Sequence, residues 1–259
     1  MRGTSRKGRA YSTNELTEGG EYFDINRDAV EENISILEDE KSKVVYRTII
    51  NYRKNRERLS PKIYSLTDQY FPEDIIRIND GEVFIDCGGY VGDTSQELID
   101  IAKKKNKTIK RIVIFEPKKE LFKIAVEHYK DSDRVFVYNK GVSDEQKTIY
   151  LKTEKLGASK VVNERESGDE TIEVVNIDGL EICDDASFIK MDIEGSEMSA
   201  LKGAKETIVR NKPKLAICIY HSDNDIVDII QYVHKLVPSY KIYVRHHTRG
   251  LSETVMYAV

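Results

Sequence analysis

Beyond Gly81, short apolar runs alternate with amphipathic segments, and this alternation limits the fold more than any other feature of the chain. The runs are Val83–Ile85, Ile112–Phe115, Val135–Val137, Phe188–Ile189 and Leu215–Ile219. Most are rich in β-branched or aromatic residues, as strands buried on both faces tend to be. Helical stripes lie between them: Leu98, Ile101 and Ala102; Leu121, Phe122, Ala125, Val126 and Tyr129; Met198, Leu201, Ala204 and Ile208; Ile226, Ile229, Ile230 and Val233. Strand following helix following strand predicts βαβ units and a doubly wound α/β sheet. Two segments depart from this rhythm. Residues 147–153 and 170–177 read as a hairpin inserted between the third and fourth core strands. Tyr240–Arg245 and Thr254–Val259 read as strands joined by a loop too short for a helical crossover, so the last strand must run antiparallel. The expected fold is Rossmann-like and mostly parallel, with an antiparallel C-terminal strand.

The rest of the chain divides by composition. Residues 1–27 are polar, carry Arg2, Arg6, Lys7 and Arg9, and read as a flexible lead. Residues 28–79 read as an N-terminal helical appendage, with Ile34, Leu37, Val45, Ile49 and Tyr52 at helical spacing and Pro61 and Pro72 limiting any later helix. A lid over a pocket and simple packing against the core both suit it. Residues 80–259 form the main domain. Basic residues number 41 and acidic ones 45, a net charge of −4, which argues against bulk attraction to nucleic acid. Cys87, Cys183 and Cys218 show neither metal-ligand spacing nor a disulfide framework. No run approaches the roughly 18 apolar residues of a membrane helix, and no apolar leader opens the chain. The expectation is a cytoplasmic protein with no integral membrane segment. Nothing in the sequence specifies an oligomeric state.

The densest local signal is Val83-Phe84-Ile85-Asp86-Cys87-Gly88-Gly89-Tyr90-Val91-Gly92-Asp93-Thr94, an apolar strand ending in an acid and a glycine-rich turn. Ligands of open α/β sheets bind outside the carboxyl ends of strands, so this turn faces a cofactor. Gly88 and Gly89 permit close backbone approach, and Gly92 permits close packing of helix on strand. The order is not the G-x-G-x-x-G of dinucleotide binders. Asp86 would repel a pyrophosphate but favour the sulfonium and ammonium groups of S-adenosylmethionine; the alternative is a turn-forming Asp-x-Gly. The second strand ends Phe115-Glu116-Pro117, which places Glu116 to accept hydrogen bonds from ribose hydroxyls. Asn139-Lys140-Gly141-Val142-Ser143 forms the next loop at the same edge, either flanking an adenine ring or making a plain turn.

The fourth strand ends Phe188-Ile189-Lys190-Met191-Asp192-Ile193-Glu194-Gly195-Ser196-Glu197. Asp192 should emerge at the ligand edge beside the first strand, with Glu197 stabilising the next helix start. The fifth strand ends Tyr220-His221, placing His221 as a general base or as a hydrogen-bonded structural histidine. Asp225 would orient it or cap the next helix. Asp192 and His221 are an acceptable ligand pair for a divalent cation, which leaves metal open. The sixth strand ends Arg245-His246-His247, of which one would reach substrate.

Together these segments resemble the FkbM methyltransferase family, over about residues 80–259 and upstream through Gln69-Tyr70-Phe71. The Lys-x-Asp-x-Glu-Gly-x-Glu run is the most specific piece. The resemblance implies a class I methyltransferase fold and S-adenosylmethionine-dependent O-methylation of sugars, glycans or natural-product hydroxyls. It implies Asp86, Gly88 and Glu116 at the cofactor and Asp192 and His221 near the substrate. The expected cofactor residues in full are Asp86, Gly88, Gly89, Gly92, Asp93, Thr94, Glu116, Gly141, Val142 and Asp192, with His221 and Asp192 as the expected catalytic pair. The rivals are a nicotinamide-dependent oxidoreductase on a similar sheet and a non-catalytic cofactor-binding module.

Overall fold

The structure is a computed structural model that describes residues 20–56, 59–153, 159–162 and 170–259. Most of the expected N-terminal lead, residues 1–19, lies outside the described residues, as do 154–158 and 163–169 within the expected hairpin. Three helices open the described chain: α1 (Glu21–Ile25), α2 (Arg27–Ile36) and α3 (Glu40–Asn55). Helix therefore begins inside the stretch read as a lead. Asp39 starts α3 by accepting a hydrogen bond from the Ser42 N–H at 2.7 Å. The alternating region follows as β1 (Glu82–Cys87), α4 (Asp93–Lys104), β2 (Ile109–Phe115), α5 (Lys119–His128) and β3 (Val135–Tyr138). Next come β4 (Gly141–Val142), β5 (Lys147–Thr153), β6 (Ser159–Val162) and β7 (Glu170–Val175). The chain ends with β8 (Phe188–Met191), α6 (Glu197–Lys202), α7 (Lys205–Asn211), β9 (Lys214–Cys218), α8 (Asp223–Leu236), β10 (Ile242–His246) and β11 (Thr254–Ala258).

Seven strands form one sheet in the order β10-β11-β9-β8-β1-β2-β3. Only β11 runs against the others, slotted between β9 and β10, as the short final loop requires. Strand alternation divides the core into two layers. Val83, Ile85, Val113, Ile189, Ile217 and Val244 face one side; Phe84, Ile112, Phe188, Ala216 and Tyr257 face the other. The N-terminal helices join the first layer. Phe23, Ile34, Val45 and Ile49 pack there with Ile226 and Ile230 of α8, so these helices extend the core. Beyond α3 the chain crosses the carboxyl edge of the sheet, where Tyr64 pairs with His246, and then packs Phe71, Ile76 and Ile78 in the second layer.

The expected hairpin is part of a larger unit. β5 and β7 pair antiparallel, but β6 and β4 join them in a second sheet of order β4-β7-β5-β6. Gly141–Val142, read as a loop, is thus a short strand parallel to β7. The single helical stripe over 198–208 is two helices. They part at Gly203, where a Cβ would come within 2.0 Å of the Ser143 carbonyl oxygen, so the second sheet's approach leaves no room for a side chain. No described helix is long and apolar enough to cross a membrane.

Candidate active site

A cavity of about 1050 Å³ opens at the carboxyl edge of the main sheet, large by the ~300–1,000 Å³ range of ligand sites. The β1–α4 turn contributes Gly88, Tyr90, Asp93 and Thr94; the end of β2 contributes Phe115 and Glu116. Gly141 and Val142 of β4 line it, with Ile149, Ile172 and Val174 of the second sheet as an apolar wall. Asp192 and Glu194 form its acidic end, and the segments 66–70 and 247–249 cover it. Of the expected cofactor residues, Gly88, Asp93, Thr94, Glu116, Gly141, Val142 and Asp192 therefore line one space.

Asp86, Gly89 and Gly92 are not among the cavity-lining residues, for reasons of packing and charge. Asp86 is fully buried behind the turn. Its Oδ2 accepts a hydrogen bond from Ser95 Oγ at 2.8 Å, and its Oδ1 lies 3.1 Å from Lys190 Nζ. The amine of Lys190 in turn donates to the Gly88 carbonyl at 2.8 Å. Burial would lower the Lys190 pKa, but Asp86 and Asp192 outweigh it and raise it. The charge of Asp86 is thus matched inside the protein, and no sulfonium is needed to balance it. At Gly88 φ is +76°, and a Cβ would meet the Asp192 carbonyl oxygen at 1.9 Å; at Gly89 it would meet Ile114 Cγ2 at 2.2 Å. Both glycines let protein approach protein. Gly92 sits under the ring of Tyr129, whose hydroxyl donates to its carbonyl at 2.6 Å.

Glu116 is held in place by two backbone donors. Its Oε2 accepts from the Tyr90 N–H and its Oε1 from the Lys118 N–H, each at 2.9 Å. Each oxygen keeps acceptor capacity facing the cavity. Asn139 fixes this corner by donating to the carbonyls of Glu116 and Pro117 at 3.1 and 2.8 Å. Burial raises the pKa of Glu116 against those two backbone bonds.

The acidic end is a network. Asp192 accepts from the Tyr70 hydroxyl at 2.8 Å and the Tyr220 hydroxyl at 3.1 Å. Burial would raise its pKa, but Lys190, His221 and the two hydroxyls outweigh it, so Asp192 stays a carboxylate. His221 lies behind the cavity wall with three carboxylates around its ring. Nδ1 is 3.2 Å from Glu197 Oε1, and Nε2 is 3.7 Å from both Asp192 Oδ1 and Glu194 Oε2. Burial would lower the His221 pKa, but the acids outweigh it, Glu197 foremost, and raise it to about 10. The surrounding acids thus favour the protonated ring over the free base expected there. Glu194 holds a left-handed backbone, φ +58°, which is sparsely populated for a residue with a side chain and turns the loop toward His221.

Other expectations resolve into support. Glu197 does not cap its helix through its side chain; it is fully buried against His221 and accepts from the Ile193 N–H at 2.8 Å. Asp225 closes a capping box with Ser222. Arg245 is paired with Asp39 at 2.7 Å and Asp74 at 2.9 Å, and His246 with Thr254 and the Gly250 carbonyl. Only His247 of that run lines the cavity. Tyr70 and Glu197 are the site-forming residues missed by strand-end reasoning; the upstream Gln69-Tyr70-Phe71 match was the available signal for the first.

The family model for the methyltransferase FkbM domain matches residues 86–240, more than half of the chain. The chain belongs to the FkbM methyltransferase family. FkbM methyltransferases depend on S-adenosylmethionine. The donor set here suits that molecule: a buried carboxylate preset for two hydroxyls at Glu116, apolar flanks at Phe115, Leu121 and Val142, and acids at Asp93 and Asp192 for cationic groups. A crystal structure of methyltransferase FkbM from Methylobacillus flagellatus KT is similar, with 28% identity and a TM-score of 0.78; the match covers 93% of this chain. The chain spans 60% of that protein's length. An rRNA methylase from Streptococcus thermophilus shares 13% identity over 70% of this chain and 87% of its own, with a TM-score of 0.44. A likeness that weak does not bear on function. No curated protein matches the sequence.

Proposed function

We propose that this protein is an S-adenosylmethionine-dependent O-methyltransferase acting on a hydroxyl of a sugar, a glycan or a natural product. The observation that carries the reading is the composition of the cavity beyond Glu116. Fixed carboxylates at Asp192 and Glu194 meet an apolar wall at Ile149, Ile172 and Val174. Hydroxyls donate to carboxylates, and a carbon skeleton covers the apolar wall. When bound, the cofactor supplies a methyl group already activated on a sulfonium. The protein's task is then alignment. Glu116 accepts from the ribose hydroxyls. Asp192, held by Tyr70 and Tyr220, accepts the hydrogen of the acceptor hydroxyl and fixes its direction. The segments 66–70 and 247–249 restrict water.

A nucleic-acid acceptor has less support. In the basic run through Lys103–Arg111, four of the six cations pair with three acids: Lys105 with Glu73, Lys107 with Asp80, Lys110 and Arg111 with Asp185. The test is transfer of an isotopically labelled methyl group to a panel of glycans and hydroxylated natural products, with the product bond identified by NMR. O-methyl ethers are expected. Methylation at nitrogen or carbon, or transfer to RNA alone, would overturn the proposal.

A further inference from the structure

We propose that Asp192, Glu197 and His221 hold a divalent cation at the acceptor end of the cavity. One donor atom from each lies within 4.8 Å of the others. Two ligands of a cation at 2.0–2.6 Å stand at most about 4–5 Å apart, so small side-chain adjustments close the shell. Two further observations point to a missing partner. Both imidazole nitrogens of His221 are buried without an aligned hydrogen bond, although only 9% of the side chain is exposed. Glu197 is fully buried, and its Oε2 also lacks a partner. A buried polar atom left unsatisfied costs ~1–3 kcal/mol, and a cation would satisfy one imidazole nitrogen of His221 together with a carboxylate oxygen of Glu197. Charge agrees. Three carboxylates, Asp192, Glu194 and Glu197, surround one imidazole, while the nearby Lys190 is engaged by Asp86.

Two carboxylates with one imidazole suit Mn²⁺ or Mg²⁺ better than the thiolate-seeking metals. The 25% of the Asp192 side chain that remains exposed opens toward the cavity, which leaves the cation a face for an acceptor oxygen. There it would act as a Lewis acid, making the acceptor hydroxyl easier to deprotonate, with the proton passing to water. This role rests on the reading of the cavity as an acceptor site; the binding of the cation does not.

The experiment titrates Mn²⁺ into the chelator-treated 259-residue chain and follows free Mn²⁺ by electron paramagnetic resonance. One site per chain is expected. The variants Glu197→Gln and His221→Gln should each weaken it at least about tenfold, whereas the exposed Glu127→Gln should not. S-adenosylhomocysteine binding, measured on every sample, reports folding and cofactor binding separately from the cation. In unsubstituted protein, Mn²⁺ should broaden the imidazole NMR signal of His221 before those of the other four histidines, a readout that needs no variant to fold. Absence of Mn²⁺ binding in protein that binds S-adenosylhomocysteine would remove the cation and leave the methyltransferase. Binding unchanged in both variants, or broadening first at another histidine, would also overturn the proposal.

Discussion

Asp86 and Lys190 form a closed pair beneath the glycine turn, 3.1 Å apart and almost wholly buried. An acid at a strand end suggests a ligand from sequence, because strand ends are where open sheets bind. Its partner comes from β8, 104 positions later, and the lysine's reach across the sheet is not written in any local pattern. Asp86→Ala should therefore act first on folding. Removing one member of a buried ion pair costs about 3–5 kcal/mol, and urea denaturation should show a loss of that order. Full stability with weakened cofactor binding would return Asp86 to the ligand. The positions of Glu116 and Asp192 at the cavity were legible because they follow from strand direction alone. Tyr70 was not, since its bond to Asp192 joins residues 122 positions apart. Tyr70→Phe should lower turnover more than cofactor affinity, because it removes a hydrogen bond that fixes the direction of the Asp192 carboxylate. Equal loss in both would make Tyr70 part of the cofactor site.

At the scale of elements, the strands were readable because buried runs are short, branched and bounded by turns. β4 and the break between α6 and α7 were not, since both come from contact between the two sheets at Ser143 and Gly203. Of the N-terminal helices, α2 and α3 were readable as helical, with packing against the core one of two readings left open, whereas α1 fell in the stretch read as a lead. What joins them is Arg53 of α3, fully buried, paired with Asp223 at 2.8 Å and donating to the Tyr220 carbonyl. That pair secures the β9–α8 loop that presents His221. Arg53→Met should cost about 3–5 kcal/mol by stranding the Asp223 charge, again read by urea denaturation. The same variant should lower turnover at temperatures where it stays folded, through a loosened loop. Unchanged stability would mean that the helices are not anchored there.

For the whole molecule, acid sensitivity follows from two buried histidines. Burial pushes His246 and His247 down to about 4 from an ordinary 6.5. A base with a depressed folded pKa contributes stability above its unfolded pKa, and that stability is lost as pH falls through the folded value. The loss should thus run from pH 6.5 to about 4, at most ~3 kcal/mol per histidine. Asp39 adds to it only below 3.8: burial would raise its pKa, but Arg245 and Ser42 pull it to about 2. Urea midpoints taken across that range should fall steadily, and a flat profile above pH 4 would mean that the two histidines charge freely in the fold.

We propose that the cavity beside Glu116 binds the methyl donor. Calorimetric titration with S-adenosylhomocysteine, with NAD as control and Glu116→Gln alongside, tests it most directly. One site for S-adenosylhomocysteine and none for NAD are expected. The variant should bind roughly ten- to a hundredfold more weakly, as befits the loss of hydrogen bonds to a charged acceptor. No binding to folded protein, or affinity untouched by the substitution, would contradict the account.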